Sequence, residues 1–249
     1  MKNISLIENI LVDKGRIVKY TDLKEYLTDF SDINKKISTL IDKGFLVNLR
    51  RGVYYISKLG SLGYTSLSNY IIANSIGEES FVSFDAALKF HGLFDQGLKK
   101  YRSISKKQYL VKSIEEISYE YIKVKDSNFL GYELQDVDGG QARIATMERA
   151  LLDIIEYKKS ISSLSLVLEK FSNYQKDIDF KLMLKYLENY SQITVKIVGF
   201  FLDLIGKDSK SIEVLVNQKS TSRIFKSSSK FSNKWRLYYD SVLEEQLTC

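Results

Sequence analysis

The chain has no proline in 249 residues, which excludes any cis-proline turn or proline-kinked helix. Its one cysteine is Cys249, so neither an internal disulfide nor a Cys-based zinc site can form within it. A frayed, inert thiol in a reducing, cytoplasmic setting is the expectation. Its one histidine, His91, excludes a histidine cluster. Long apolar runs are also missing. The most apolar stretch, Ile193–Ile205, contains Lys196 and Asp203 and falls short of the roughly 20 residues a membrane helix needs. It reads as a buried helix, and no membrane partner is expected. Met1–Val12 has one lysine and no sustained apolar run, unlike a signal peptide. There is no G-x-x-x-x-G-K-[ST], G-x-G-x-x-G or nucleophile-elbow motif. The expectation is a protein without catalytic activity, cofactor or metal.

What is present is enough apolar material for packed cores, 44% of residues, and a net charge of +6 with a pI near 9.0. The length suits one large domain or two ordinary ones. The charge favours a polyanionic partner.

Near the N-terminus, Leu6, Ile7, Ile10 and Leu11 share a helical face that Gly15 ends. Thr21 is placed to cap a second helix burying Leu23, Tyr26 and Leu27. Ser31 or Asp32 would cap a third, over Ser31–Lys43, whose apolar residues Ile33, Ile37, Leu40 and Ile41 keep helical spacing; Gly44 stops it. Phe45, Val47 and Leu49 alternate as in a half-buried strand. Val53–Ile56 reads as a second strand after Arg50-Arg51-Gly52, where glycine suits a hairpin turn. This order predicts a winged helix-turn-helix over 1–58. Leu59–Gly63 is the best linker, leaving a second domain over 64–249.

In that second part, helices are expected at Ser66–Ser75, at Phe84–Phe90 with Ser83 as cap, and at Met147–Tyr157 with Thr146 as cap. Others are expected at Ser162–Phe171, Phe180–Tyr190 and Ile193–Ile205. Strands are expected at Gln108–Val111, Ile117–Lys125 and Phe129–Leu134. The fold class is thus α/β (α+β): an N-terminal winged helix-turn-helix, then a larger mixed α/β domain with a helical C-terminal part.

The third helix turns Asn34, Lys35, Lys36, Ser38, Thr39 and Lys43 away from its apolar face. Their side chains suit base edges and phosphates. Arg50 and Arg51 sit at the wing tip, placed for phosphate or the minor groove. A solvated helix face and a plain polar turn are the competing readings. Some winged helices bind proteins instead of DNA.

His91, near a helix end, reads as a cap or packing residue. Asp136/Asp138 looks like a turn, and Asp177/Asp179 sits where a helix needs a cap; neither pair follows a phosphate loop. From Lys219 to Arg236 there are six cations, Lys219, Arg223, Lys226, Lys230, Lys234 and Arg236, and no acid. That stretch is a possible second basic surface, for nucleic-acid phosphates with stacking aromatics or for an acidic protein. The plain alternative is a solvated serine-rich loop before a terminal helix.

Three stretches together resemble the AbiEi family, the antitoxins of type IV toxin–antitoxin (AbiE abortive infection) systems. They are the wing ending in Arg50-Arg51-Gly52-Val53-Tyr54, then Phe81–Leu93 (FVSFDAALKFHGL), and Ala145–Asp153 (ATMERALLD). The resemblance spans roughly residues 3 to 200. It implies a bacterial autorepressor whose winged helix binds promoter DNA with inverted repeats. Its second domain would counteract a cognate nucleotidyltransferase-like toxin in phage defence. Within the two later motifs, Ala86, Ala87, Leu88, Leu151, Leu152 and Ile155 are expected in the core. Glu148 would favour the helix dipole, and Arg149 would pair with it or a neighbour. The alternative function is a winged-helix transcriptional regulator with a ligand- or protein-binding second domain and no toxin partner.

Overall fold

A computed structural model describes residues 2–57 and 67–246, so the expected linker and Cys249 lie outside the described residues. The chain is an α+β protein. It forms two compact units, one of residues 1–82, 99–123 and 134–143, the other of 83–98, 124–133 and 144–249. The first compact unit therefore runs past the expected boundary at 58 and takes in later strands.

The first unit begins α1 (Lys2–Lys14), β1 (Ile17–Lys19), α2 (Tyr20–Tyr26), α3 (Ile33–Asp42), β2 (Leu46–Arg50) and β3 (Val53–Ile56). Ile7, Ile10, Leu11, Val18, Leu23, Leu27, Ile37, Leu40, Leu46, Tyr54 and Ile56 make one buried cluster, which holds these short helices together where length alone would not. Asp32 caps α3, its carboxylate accepting from Lys35 N at 2.9 Å. Gly44 ends it in the left-handed region, φ 71°. Thr21 is not the cap of α2. Lys19 holds that position, and Asp22 reaches back to accept from Lys19 N at 2.7 Å.

β1, β3 and β2 form an antiparallel sheet in that order; β1 is too short to show a period in the sequence. The expected Phe45–Val47–Leu49 alternation is broken. Leu46 and Leu49 are the buried residues of β2, because the pairing shifts register between Asn48 and Arg50 and such a bulge advances the pleat by one residue.

Next come α4 (Asn69–Ile76), β4 (Ser80–Val82), α5 (Phe84–Phe90), β5 (Lys100–Ser105), β6 (Lys112–Ile114), β7 (Ile117–Lys123), β8 (Tyr132–Val137) and β9 (Gly140–Ala145). Six strands make one sheet in the order β6-β7-β5-β4-β9-β8. β5 runs parallel to β7 and antiparallel to β4. Gln108–Val111 is not a strand; Leu110 and Val111 are exposed. The pairing strand is β5, whose serines hid its buried face: Tyr101, Ser103, Ile104 and Ser105 are all buried. Helix α4 is tied to the sheet by Tyr119 OH donating to Asn69 Oδ1 (2.6 Å) and Tyr121 OH donating to the Ala73 carbonyl (2.7 Å). Gly77 is required at that approach, since a Cβ there would stand 2.3 Å from Tyr121 Cε1.

The second unit holds α5 and α6 (Met147–Tyr157), α7 (Ile161–Asn173), α8 (Phe180–Leu187) and α9 (Gln192–Leu204). After these come α10 (Lys210–Glu213), β10 (Ser222–Arg223), β11 (Lys230–Ser232), β12 (Leu237–Tyr239) and α11 (Val242–Glu245). Ala86, Ala87, Leu88, Leu151, Leu152 and Ile155 are all buried here. Thr146 caps α6. Ser83 does not cap α5 with its hydroxyl, which instead donates to Asp153 Oδ2 at 2.6 Å.

Candidate nucleic-acid interface

The outward residues of α3 do not behave alike. Asn34, Lys35 and Ser38 are exposed on the helix, and Lys43 is exposed at its C-cap, where a cation also complements the helix dipole. Neither Lys35 nor Lys43 makes an ion pair among the described residues. Lys36 is half-buried. Its ammonium donates to Asn3 Oδ1 at 2.6 Å and lies 4.3 Å from the centre of the Phe30 ring. The Thr39 hydroxyl donates back to the Lys35 carbonyl at 2.8 Å. Tyr20, from the start of α2, donates its hydroxyl to Asn34 Oδ1 at 3.0 Å. That bond engages one lone pair of the amide oxygen and leaves its N–H donors for a ligand. Tyr20 also anchors the β2–β3 turn, its N–H donating to the Gly52 carbonyl at 2.8 Å. Tyr20 is the residue sequence reasoning missed here; its only signal was an aromatic beside Thr21, which reads as packing.

The two turn arginines diverge. Arg51 is exposed and makes no ion pair among the described residues. Arg50 Nε donates to the Ser75 carbonyl at 3.0 Å, and its Nη2 pairs with Glu78 Oε2 at 3.0 Å. These two residues with Lys19, Tyr20, Thr21 and Gly52 line a shallow cleft. Arg50 thus braces the hairpin against the C-terminal end of α4 and its following turn, while Arg51 is offered to solvent.

The second basic stretch is neither a loop nor one surface of six free cations. β10, β12 and β11 form a sheet in that order, parallel then antiparallel, around Trp235, which is fully buried. Its indole lies against Gly199, where a Cβ would come within 2.2 Å of the ring. Acids absent from the segment arrive from elsewhere in the chain. Lys234 pairs with Asp203 at 2.8 Å and Lys230 with Glu244 at 2.7 Å. Trp235 Nε1 donates to Asp203 Oδ2 at 2.7 Å. Burial pushes the Asp203 carboxyl up, but the donors Lys234, Ser209 and Trp235 outweigh it and hold it below the ordinary value. Arg223 stacks 3.9 Å from the centre of the Tyr238 ring, and Arg236 lies 5.8 Å from that of Phe231. Lys219 and Lys226 are exposed.

His91 is the C-cap residue of α5, and its Nε2 lies 2.8 Å from the Ala145 carbonyl. Asp179 caps α8, accepting from Lys181 N and Leu182 N, and Asp138 falls in the β8–β9 turn. Glu148, in the first turn of α6, accepts from Asp179 N at 2.9 Å. Arg149 pairs with Asp153, one helical turn on, in a fully buried bridge at 3.0 Å. Ser83 and Tyr190 also donate to Asp153, at 2.6 and 2.7 Å. The ATMERALLD motif therefore builds a hydrogen-bonded core.

No protein-family model matches this chain, and no curated protein does. Among solved structures it is similar to the crystal structure of the RV2827C protein from Mycobacterium tuberculosis, with a TM-score of 0.70 at 14% identity over 98% of this chain and 93% of that one. At that identity the likeness is one of fold. Among the described residues, no helix is long and apolar enough to cross a membrane.

Proposed function

We propose that this chain is a DNA-binding transcriptional autorepressor and the antitoxin of a type IV toxin–antitoxin system, acting in the cytoplasm without catalysis of its own. Residues 1–58 are read as a winged helix-turn-helix, with α3 in the major groove and the β2–β3 turn as the wing. The observation that carries this reading is the exposed side of α3, which presents Asn34, Lys35, Ser38 and Lys43; among the described residues neither these two lysines nor Arg51 at the adjacent turn makes an ion pair. The three cations would contact phosphates, and Asn34 and Ser38 would read base edges. Inverted repeats in the promoter would take two such surfaces. The antitoxin half, opposing a nucleotidyltransferase-like toxin in phage abortive infection, rests on the AbiEi resemblance of the wing, Phe81–Leu93 and Ala145–Asp153.

The test is a mobility shift of the full chain on the DNA upstream of its own gene, over a salt series with unrelated competitor DNA. Specific binding is expected. Lys35, Lys43 and Arg51 should together contribute about −2.7 per bound chain to the slope of log affinity against log salt. No preference over competitor overturns the repressor reading. Rescue of growth by co-expression with the neighbouring toxin gene tests the antitoxin half.

A further inference from the structure

Among the described residues, one fully buried cation in the second unit makes no ion pair. Lys196 lies in α9, in the wholly buried run Thr194–Leu202, and is itself fully buried. Its ammonium donates to the Ser220 carbonyl (2.6 Å), Ser220 Oγ (3.3 Å) and Ser222 Oγ (3.2 Å). All three acceptors are neutral. A charge taken from water is normally paired or lost, and here no carboxylate among the described residues forms an ion pair with it.

A second cation stands beside the same three-residue segment. Arg236 donates from Nη2 to Thr221 Oγ1 at 3.3 Å, and its backbone carbonyl accepts from Ser222 N at 2.9 Å. Its Nε is buried with no hydrogen-bond partner. It also holds a left-handed backbone, φ 51°, which a side-chain-bearing residue adopts at a cost and usually for a local reason. It makes no ion pair among the described residues. Burial lowers the Lys196 pKa, and the charge of Arg236 lowers it further. Two like charges thus face Ser220-Thr221-Ser222, and neither pairs with a carboxylate among the described residues. Elsewhere in the same stretch, Lys230 and Lys234 each have an acid.

The geometry points to a phosphate-type oxyanion site formed by Lys196, Arg236 and the hydroxyls of Thr221 and Ser222. Two cations match a dianion, whereas a carboxylate would leave one charge unmatched. Ser220 already donates its hydroxyl to the Asn217 carbonyl at 3.1 Å, but the unused Arg236 Nε–H and the hydroxyls of Thr221 and Ser222 suit a group with several acceptor oxygens. Lys219, exposed next to Ser220, adds electrostatic attraction for an anion. The ligand is inorganic phosphate or a phosphate monoester. The site lies outside residues 1–58 and stands apart from the DNA-binding reading.

The test is thermal unfolding of the full chain in sodium phosphate against sodium chloride at equal ionic strength. At phosphate a hundred times its Kd, the Tm should rise about 5–10 °C above the chloride control. In Lys196→Met the phosphate increment should vanish, while the Tm in chloride is equal or higher because an unpaired buried charge is gone. In Arg236→Gln the same increment should need at least tenfold more phosphate. Equilibrium dialysis of labelled phosphate against wild type and Arg236→Gln gives the same comparison if Lys196→Met fails to fold. A dinucleotide that stabilises only when 5′-phosphorylated assigns the site to a phosphate ester; stabilisation by inorganic phosphate alone assigns it to the free ion. A phosphate increment no larger than that of chloride, or one unchanged in both variants, overturns the proposal.

Discussion

The chain has two basic regions, and their charges are spent differently. Around α3 and the β2–β3 turn, Lys35, Lys43 and Arg51 are exposed and make no ion pair among the described residues, and their neighbours Lys36 and Arg50 are turned back onto the protein. In 219–236 the count of cations is higher, yet Lys230 and Lys234 are answered by acids from α11 and α9, and Arg223 and Arg236 lie over rings. Charge density along the sequence is therefore a poor guide to charge offered at a surface. A cation bound by a folded neighbour is unavailable to a phosphate, whatever its local composition.

The largest expected effect breaks the second region without touching the first. Trp235→Ala removes a fully buried ring packed on Gly199 and should cost about 3–5 kcal/mol of stability. Urea unfolding would measure it. Below the transition, operator affinity should stay at the wild-type value, and a parallel loss of affinity would tie the regions together.

Asp203→Ala should cost less, about 1–3 kcal/mol, by leaving the buried indole N–H and Lys234 without their acceptor. It also carries a pH signature. Because the folded Asp203 carboxyl titrates below its unfolded value, its contribution is present above an unfolded pKa of about 3.9 and is lost as pH falls through the lower folded value. Acid unfolding of Asp203→Ala should therefore be flatter below about pH 4 than that of wild type, and curves of equal steepness would contradict the assignment.

At the proposed interface the expected effects are smaller and separable. Arg51→Ala should reduce the magnitude of the salt slope by about 0.9. Arg50→Ala should leave the slope nearly unchanged, since that guanidinium is bound to Glu78 and Ser75. Equal slopes for the two variants would show that Arg50 leaves its brace on DNA. Smallest of all, Tyr20→Phe frees the Asn34 acceptor. Total affinity should change by less than about threefold, while preference shifts toward adenine, whose edge takes both an acceptor and a donor from asparagine. Competition among operator variants would read this, and an unchanged base preference would remove Tyr20 from the readout.

Helices were legible along the chain wherever an apolar stripe and an end signal coincided. For α3, Ile33, Ile37, Leu40 and Ile41 with Asp32 before and Gly44 after left little ambiguity, and α6 with Thr146 was as clear. Those signals act within a few residues, so the sequence carries them in full. Strands are less legible: Ser103 and Ser105 break the apolar pattern of β5, and Gln108–Val111 has a strand's composition yet belongs to no strand among the described residues.

The types of residue at the candidate interface, and the absence of proline kinks, disulfides or a histidine cluster, follow from the sequence alone. Pairing does not. Asp203 lies thirty-one positions before Lys234, and Glu78 twenty-eight after Arg50, so no local pattern announces that they meet. The bulge in β2, the bracing of Arg50, the neutralised C-terminal sheet and the unpaired Lys196 all depend on which distant groups folding brings within a few ångströms. Electrostatics and hydrogen bonding are decided at that range, and only the tertiary structure sets it.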